Sequence, residues 1–524
     1  SDGIADGQEG NIVSGNSGMG IYVAGASGTL VAGNIAGLSA AGNQAVSNGF
    51  WGIGLYNSQD STVDSNLVSG NNQGGIFVRG ASSRSIIISS NLVGVAADGK
   101  TPFGNAYTGI TLNDWGFSGD GPSSVQVLGN VVSANREYGV WLKGATDAVI
   151  QANMIGTDSL GLTAVANSYS GIMVEKSSGV ILGGDLQGQG NLVSGNKGCG
   201  IYVDGSAGTF VSGNKVGVSA SGNSAIANSS WGIGVVNSPS ITIGGSTAQS
   251  GNLVSGNSQG GIFVRGAAST NAKIMNNIVG LAANGTTALG NAFSGIAIVD
   301  WGVANDGPTG ALVSNNTVSA NGQYGIWIDG LTSQRNFVLG NRVGTSVDGV
   351  SSRGNGSVGI YISGGSSNTV GGLANGEGNT IRGNFSNGVL ISGAAAVGNK
   401  VLGNSISGNL GPAISLDFTV GTSVLGNSID SGAYTAISLS NSANAVIGSA
   451  SAGNIVQNAN IGIDLSGNSL SSISIASNQI SNSTKGISAL SGSSISIVAN
   501  SLNSISGDGI SLSSTSGGSL IADN

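Results

Sequence analysis

Short runs of Ile, Val and Leu, three to five residues long, recur from one end of the chain to the other, separated by Gly, Ser and Asn. In the stretch that opens at Asn66 they read "NLV", then "GIFV" at 75–78, then "SIII" at 85–88. Brief β-branched runs bounded by turn formers predict strands, and no pattern of helical period and helical length competes with them. The expected fold class is therefore all-β.

The runs keep a longer phase. An asparagine opens an apolar triplet at Asn11, Asn34, Asn66, Asn91, Asn130 and Asn153, then at Asn191, Asn214, Asn252, Asn277, Asn316 and Asn341. The same phase continues through Asn379, Asn404, Asn427, Asn454, Asn478 and Asn500 to Asn524. Nineteen asparagines bound eighteen repeats, most of them carrying three short strands. Stacked repeats of this kind predict a parallel β-solenoid, each strand pairing with its counterpart about 4.8 Å away in the next coil. The recurrent asparagines would then lie above one another at a bend, with their amides hydrogen-bonded along the stack.

The phrases "GNLVSGNSQGGIFVRGA" (251–267) and "NMIGTDSLGLTAVANSYSGIMV" (153–174) resemble the right-handed parallel β-helix repeats of large bacterial surface and secreted proteins, within the pectate-lyase-like superfamily. That resemblance covers essentially the whole chain and implies one continuous solenoid of roughly 18 coils. It is specific for fold and weak for function, because lyases, hydrolases, epimerases, tailspikes, adhesins and plain stalks share the superfamily.

Differences between successive ladder asparagines run 23, 32, 25, 39, 23, 38, then 23, 38, 25, 39, 25, 38, then 25, 23, 27, 24, 22 and 24. Every second coil up to residue 378 thus carries inserted loops. Residues 11–190 recur as 191–378, so we divide the chain into a large repeat at 1–190, a second at 191–378, and a short-coil stalk at 379–524. All six Trp fall at equivalent places in the two large repeats: Trp51 and Trp231, Trp115 and Trp301, Trp141 and Trp327.

Composition narrows the function. Net charge is −8, with 16 Lys and Arg that form no cluster, which argues against nucleic acid and anionic membrane as partners. No apolar run approaches the ~18 residues of a membrane helix. The single cysteine, Cys199, excludes an internal disulfide framework and replaces Met19 of an earlier repeat, as an apolar filler would. The chain opens on Ser1, as a processed product or a piece of something longer would.

Two stretches depart from the repeat grammar. "LNDWGFSGDGP" (112–122) returns as "IVDWGVANDGP" (298–308), so that Asp114, Trp115 and Asp120 reappear as Asp300, Trp301 and Asp306. A Trp face can stack on a pyranose while a carboxylate accepts its hydroxyl protons, which makes these six residues the candidate binding set. "DGP" is also turn chemistry, and a catalytic centre is normally assembled once rather than twice. Nearby Glu137 becomes Gln323, so a trio of acids exists in one copy only.

With no His, the Gly-His-Gly element of polygalacturonase-like enzymes and the His-bearing motif of alginate epimerases are absent. "GIWIDG" (325–330) is similar to the Trp-Ile-Asp-His element of pectate lyases without its His, and its other copy, "GVWLKG", has Lys143 in place of Asp329. No calcium-binding nonapeptide occurs. The expectation is a non-enzymatic, extracellular or cell-surface β-solenoid of adhesin, filament or sheath type. It would have no cofactor, no metal and no catalytic residue, and would associate end to end or touch a surface glycan or a neighbouring surface protein. The rival readings are a polysaccharide-active lyase or tailspike-type hydrolase, and a glycan-binding module using the Asp-Trp-Gly loops.

Overall fold

The computed structural model describes residues 10–117, 119–303 and 305–524. The chain forms two compact units, Ser1–Ile262 and Phe263–Asn524. Residues 1–9 and the two loop positions Ser118 and Ala304 lie outside the described residues.

Each unit is a right-handed parallel β-helix, and the two hold about 18 coils. Every coil is built from three short strands, 18 of each kind over the described residues. A representative coil has a first strand Leu67–Val68, a second Ile76–Arg79 and a third Ile87–Ser89. All pair in parallel with their counterparts one coil on, Ile76 against Ile110 and Ile110 against Val140. Parallel crossovers in one sheet are right-handed almost without exception, because a right-twisted strand folds back onto the sheet only that way.

The period of two along each strand sends alternate residues inward. Ile53, Ile76, Ile110, Val140 and Ile172 stack in register with no exposed surface, and each contributes about 2–3 kcal/mol of apolar burial.

The bend between third and first strands is held by amides. In the first unit Asn34 Nδ2 donates to Asn66 Oδ1 at 2.9 Å, and Asn66 Nδ2 to Asn91 Oδ1 at 3.0 Å. In the second, Asn316 Nδ2 reaches Asn341 Oδ1 at 3.0 Å and Asn478 Nδ2 reaches Asn500 Oδ1 at 2.9 Å. Each Oδ1 also accepts the backbone N–H of the preceding asparagine, as Asn66 does from Asn34 at 2.9 Å. One buried Oδ1 thereby accepts two donors from the coil before it, while the Nδ2 of the same amide donates to the coil after it.

A second amide ladder, unmarked in the sequence analysis, occupies the bend before the second strand. It runs Asn16, Asn48, Asn71, Asn105, with Asn71 Nδ2 to Asn105 Oδ1 at 2.9 Å, and in the other unit Asn291, Asn321, Asn355, Asn384 and Asn409. Its sequence signal is the small-Gly-Asn or small-Ala-Asn triplet that precedes several second strands, as in "SGN" at 14–16 and "SAN" at 133–135.

Inserted residues are expelled outward because the ladders fix the coil. Hairpins closed by the pairs Leu38 with Ala45, Val95 with Pro102 and Thr157 with Ala164 leave the coil after the first strand. Asn130→Ala removes the acceptor for both the backbone N–H and Nδ2 of Asn91. We expect it to cost about 1–3 kcal/mol, read as faster amide hydrogen exchange in the coils joined at that bend, whereas exposed Asn43→Ala should change exchange little.

Candidate functional site

The second strand Ile110–Asn113 points Ile110 and Leu112 into the core and Thr111 and Asn113 outward, yet all four are buried. Thr111 stands in register between Phe77 and Trp141 of the neighbouring coils. The loop that follows is folded by its own side chains. Asp114 Oδ1 accepts from Gly116 N at 2.9 Å, Asn113 Oδ1 accepts from Trp115 N, and Trp115 takes a left-handed φ of +47°. A non-Gly residue held there stores about 1–2 kcal/mol, offset by these two caps.

From that turn the chain runs back over the preceding coil. Asp120 pairs with Arg79 (Oδ2 to Nε 3.3 Å), accepts from Ala81 N at 3.2 Å through Oδ1, and takes Gly80 N on its carbonyl at 3.1 Å. The Arg79 guanidinium lies 5.0 Å from the Trp115 ring centre, 5.3 Å from Phe117 and 5.7 Å from Tyr56. Trp115 packs at 5.6 Å on Phe77 and 6.5 Å from Trp51. Glycine makes the room: a Cβ at Gly74 would stand 2.1 Å from the Trp51 ring, and one at Gly54 2.2 Å from Phe77.

The second unit repeats the device. Asp300 Oδ1 accepts from Gly302 N at 2.9 Å, Trp301 again has φ +47°, and Asp306 pairs with Arg265 at 2.8 Å. Trp301 lies 4.9 Å from Phe263, with Arg265 5.9 Å from its ring. Arg79 and Asp120 are 41 residues apart, as are Arg265 and Asp306. That shared spacing linked "GIFVRGA" to the Asp-Trp-Gly loop in the sequence, and Arg79, Arg265, Phe77 and Phe263 could have been found from it.

The six candidate residues therefore divide. Asp120 and Asp306 are engaged in holding their loops to the preceding coil. Trp115 and Trp301 keep 43% and 38% of their surface in solvent. Asp114 and Asp300 turn toward the following coil, where a Cβ on Gly144 would lie 2.5 Å from Asp114 Oδ2 and one on Gly330 2.0 Å from Asp300 Oδ2. Asp114 and Asp120 thus face opposite ways along the stack. Burial raises the carboxyl of Glu137, which lies in the turn before the next coil's second strand.

The copies differ in what that following coil offers. In the first, Lys143 meets Glu175 at 3.1 Å. In the second the same position is Asp329, and Asp300, Asp329 and Ser363 line one open cleft of about 410 Å³ with Val303, Asn305 and Leu331. Burial pushes the Asp329 carboxyl above its ordinary value, the Ser363 hydroxyl pulls the other way, and the negative charge of Asp300 raises it further. Trp327 shares the outward face with Asp329 and packs 5.6 Å from Tyr324, and its buried Nε1 has no hydrogen-bond partner, as is also true of Trp141. Among the described residues no group of three or more Cys, Asp or Glu is placed to hold a metal ion.

The family described as right handed beta helix region matches residues 8–155, 115–306 and 335–502. Among solved structures the chain is similar to the Dettilon tailspike protein (17% identity, TM-score 0.39, 70% of this chain and 59% of that one). It is also similar to the periplasmic alginate epimerase AlgG (11%, TM-score 0.30, 82% and 76%) and to the surface protein and adhesin PfbA of Streptococcus pneumoniae (9%, TM-score 0.29, 89% and 91%). The chain spans 59% of the tailspike's length. None of the curated proteins compared matches the sequence.

These likenesses are of fold, and they correct one expectation. The chain was expected not to be an enzyme, but epimerases stand beside an adhesin among the structures it is similar to, so that assignment is withdrawn. The physical reason is that the coil hydrogen bonds leave outward side chains free to vary, and chemistry on this fold resides in those side chains rather than in the coil. Among the described residues no helix is long and apolar enough to cross a membrane.

Arg79→Gln should free the Trp115 loop at a cost of about 1 kcal/mol. Tryptophan fluorescence should shift to the red and become more accessible to acrylamide, and Asp120→Asn should do the same. Unchanged spectra in both variants would show that the Arg–Asp pair does not hold the loop.

Proposed function

We propose, for a chain that belongs to the right-handed β-helix family, that it is a carbohydrate-active protein which takes a polysaccharide against the outer face of its second strands and acts on it in the Asp300–Asp329 cleft. The observation that carries this reading is that cleft: two carboxyl groups and a hydroxyl line one open space, and one carboxyl is held protonated to higher pH than usual. A pair of carboxyls with divergent environments is what glycosidic cleavage needs, one to protonate the leaving oxygen and one to act as base or nucleophile on the sugar. Asp329 takes the acid role and Asp300 the second.

Trp301 and Trp115, half in solvent beside their loops, supply faces for sugar rings, with Asp114 beside the second. The first unit's loop lacks the acid partner, since Lys143 occupies that position and is paired with Glu175. It is a contact site in this scheme and not a catalytic one. We place the activity outside the cell or at a surface, where a long polysaccharide would be met.

The test is incubation of the full chain with a panel of neutral and acidic polysaccharides, following new reducing ends. Asp329→Asn and Asp300→Asn should each lower the rate by about 10²–10⁴-fold, while the exposed Asp98→Asn leaves it unchanged. Binding without any new ends, or full activity in both variants, would overturn the assignment. The electrostatics can be checked without substrate by following the Asp329 carboxyl by NMR. Asp300→Asn removes a like charge and lowers its pKa, and Ser363→Ala removes a partner of the ionised form and raises it.

A further inference from the structure

A groove of about 340 Å³ in the first unit has no residue of an Asp-Trp-Gly loop in its lining. Its walls are Tyr138, Tyr169 and Tyr202, its floor Met173 and Cys199, and its rim includes Ser168, Ser170 and Ser230. Tyr169 is half exposed and packs 5.3 Å from Tyr138, which leans at 5.9 Å on Trp141. Cys199 is buried and burial pushes its thiol up, so it is an inert part of the floor.

Lys197 is the one charged residue lining this groove, and it also lines an adjoining space of about 620 Å³ together with Lys100, Thr101, Thr163 and Ser168. No acidic residue lines either space. Neither lysine belongs to any ion pair among the described residues. The acid nearest Lys100 in the chain, Asp98, is occupied by its own turn, its oxygens accepting from Lys100 N, Thr101 N and Thr101 Oγ1. Glu175, on the strand that carries Met173, is paired with Lys143. Two amines outside any ion pair among the described residues thus line adjoining spaces, Lys197 both of them and Lys100 the one without tyrosines.

The second unit does not repeat this. Counted from the equivalent rungs of the second amide ladder, Lys100, Tyr169 and Lys197 become Thr286, Ser357 and Phe385. The cleft there is acidic instead, lined by Asp300 and Asp329 without a cation. The charged residues that line the two spaces are of opposite sign.

We infer that the tyrosine groove is a separate, non-catalytic binding site for a saccharide carrying an anionic substituent, a carboxylate or a sulfate. A pyranose face stacks on Tyr169 and Tyr138, the phenol and serine hydroxyls meet its hydroxyl groups, and Lys197 meets the anion, with Lys100 in the adjoining space. A neutral sugar would leave the ammonium group without a partner. The site stands independently of the acid cleft, so its test does not depend on turnover.

The experiment is titration calorimetry of the full chain at low salt with three trisaccharides: galacturonate, a sulfated neutral sugar and maltotriose. At least one anionic probe should bind while maltotriose does not, and which of the two binds identifies the anion. Lys197→Gln and Tyr169→Ala should each weaken that binding by about tenfold, and exposed Lys400→Gln should leave it unchanged. The inference fails if maltotriose binds as tightly as the anionic probes, if neither anionic probe binds in the millimolar range, or if Lys197→Gln binds like the unaltered chain. Asp329→Asn should not alter this binding, which separates failure here from failure of the catalytic assignment.

Discussion

The buried asparagine amide, donating to its counterpart one coil on and accepting from the one before, is the constraint on which the other features rest. An amide enclosed away from water must find its partners at hydrogen-bond distance, and only a coil in strict register supplies them. That requirement fixes where each coil begins irrespective of whether 23 or 39 residues separate the two asparagines. Extra residues cannot be absorbed inside, so they emerge as hairpins and loops. The aliphatic columns follow from the same register, since Ile76, Ile110 and Val140 meet only when the amides do.

Function on such a frame is a matter of which side chains the register places next to one another on the outside. The Asp-Trp-Gly loop is built the same way twice, from an aspartate cap, a left-handed Trp and an Arg–Asp pair to the coil before it. What differs is the residue presented by the coil after it. Lys143 with Glu175 closes one copy in an ion pair, whereas Asp329 beside Asp300 opens the other as an acidic cleft. Differences at two outward register positions, Lys143 against Asp329 and Glu175 against Ser363, therefore give two copies of one loop different chemical surroundings. The tyrosine groove makes the same point, because Tyr169 and Lys197 come from consecutive coils, and at their counterparts Ser357 and Phe385 the phenol and the ammonium group are both gone.

The all-β class, the coil period and the family resemblance were legible in the sequence because they are local and repeated: β-branched triplets, turn residues and a phase-keeping Asn recur often enough to be read without coordinates. The second ladder at Asn48, Asn71 and Asn105 was less visible, since loop insertions vary its spacing from the first. The Asp-Trp-Gly loops were visible as a duplicated oddity, and their six residues were grouped as one binding set. Only the fold separated them, assigning Asp120 and Asp306 to the arginines of the preceding coil and Asp114 and Asp300 to the glycines of the following one. What the sequence alone determined is thus what one coil specifies within itself, its strands and its bends. What only the tertiary structure decided is the company each outward side chain keeps. Residues one coil apart lie 22 to 39 positions away in the chain yet about 4.8 Å away in space, and no local pattern encodes that contact.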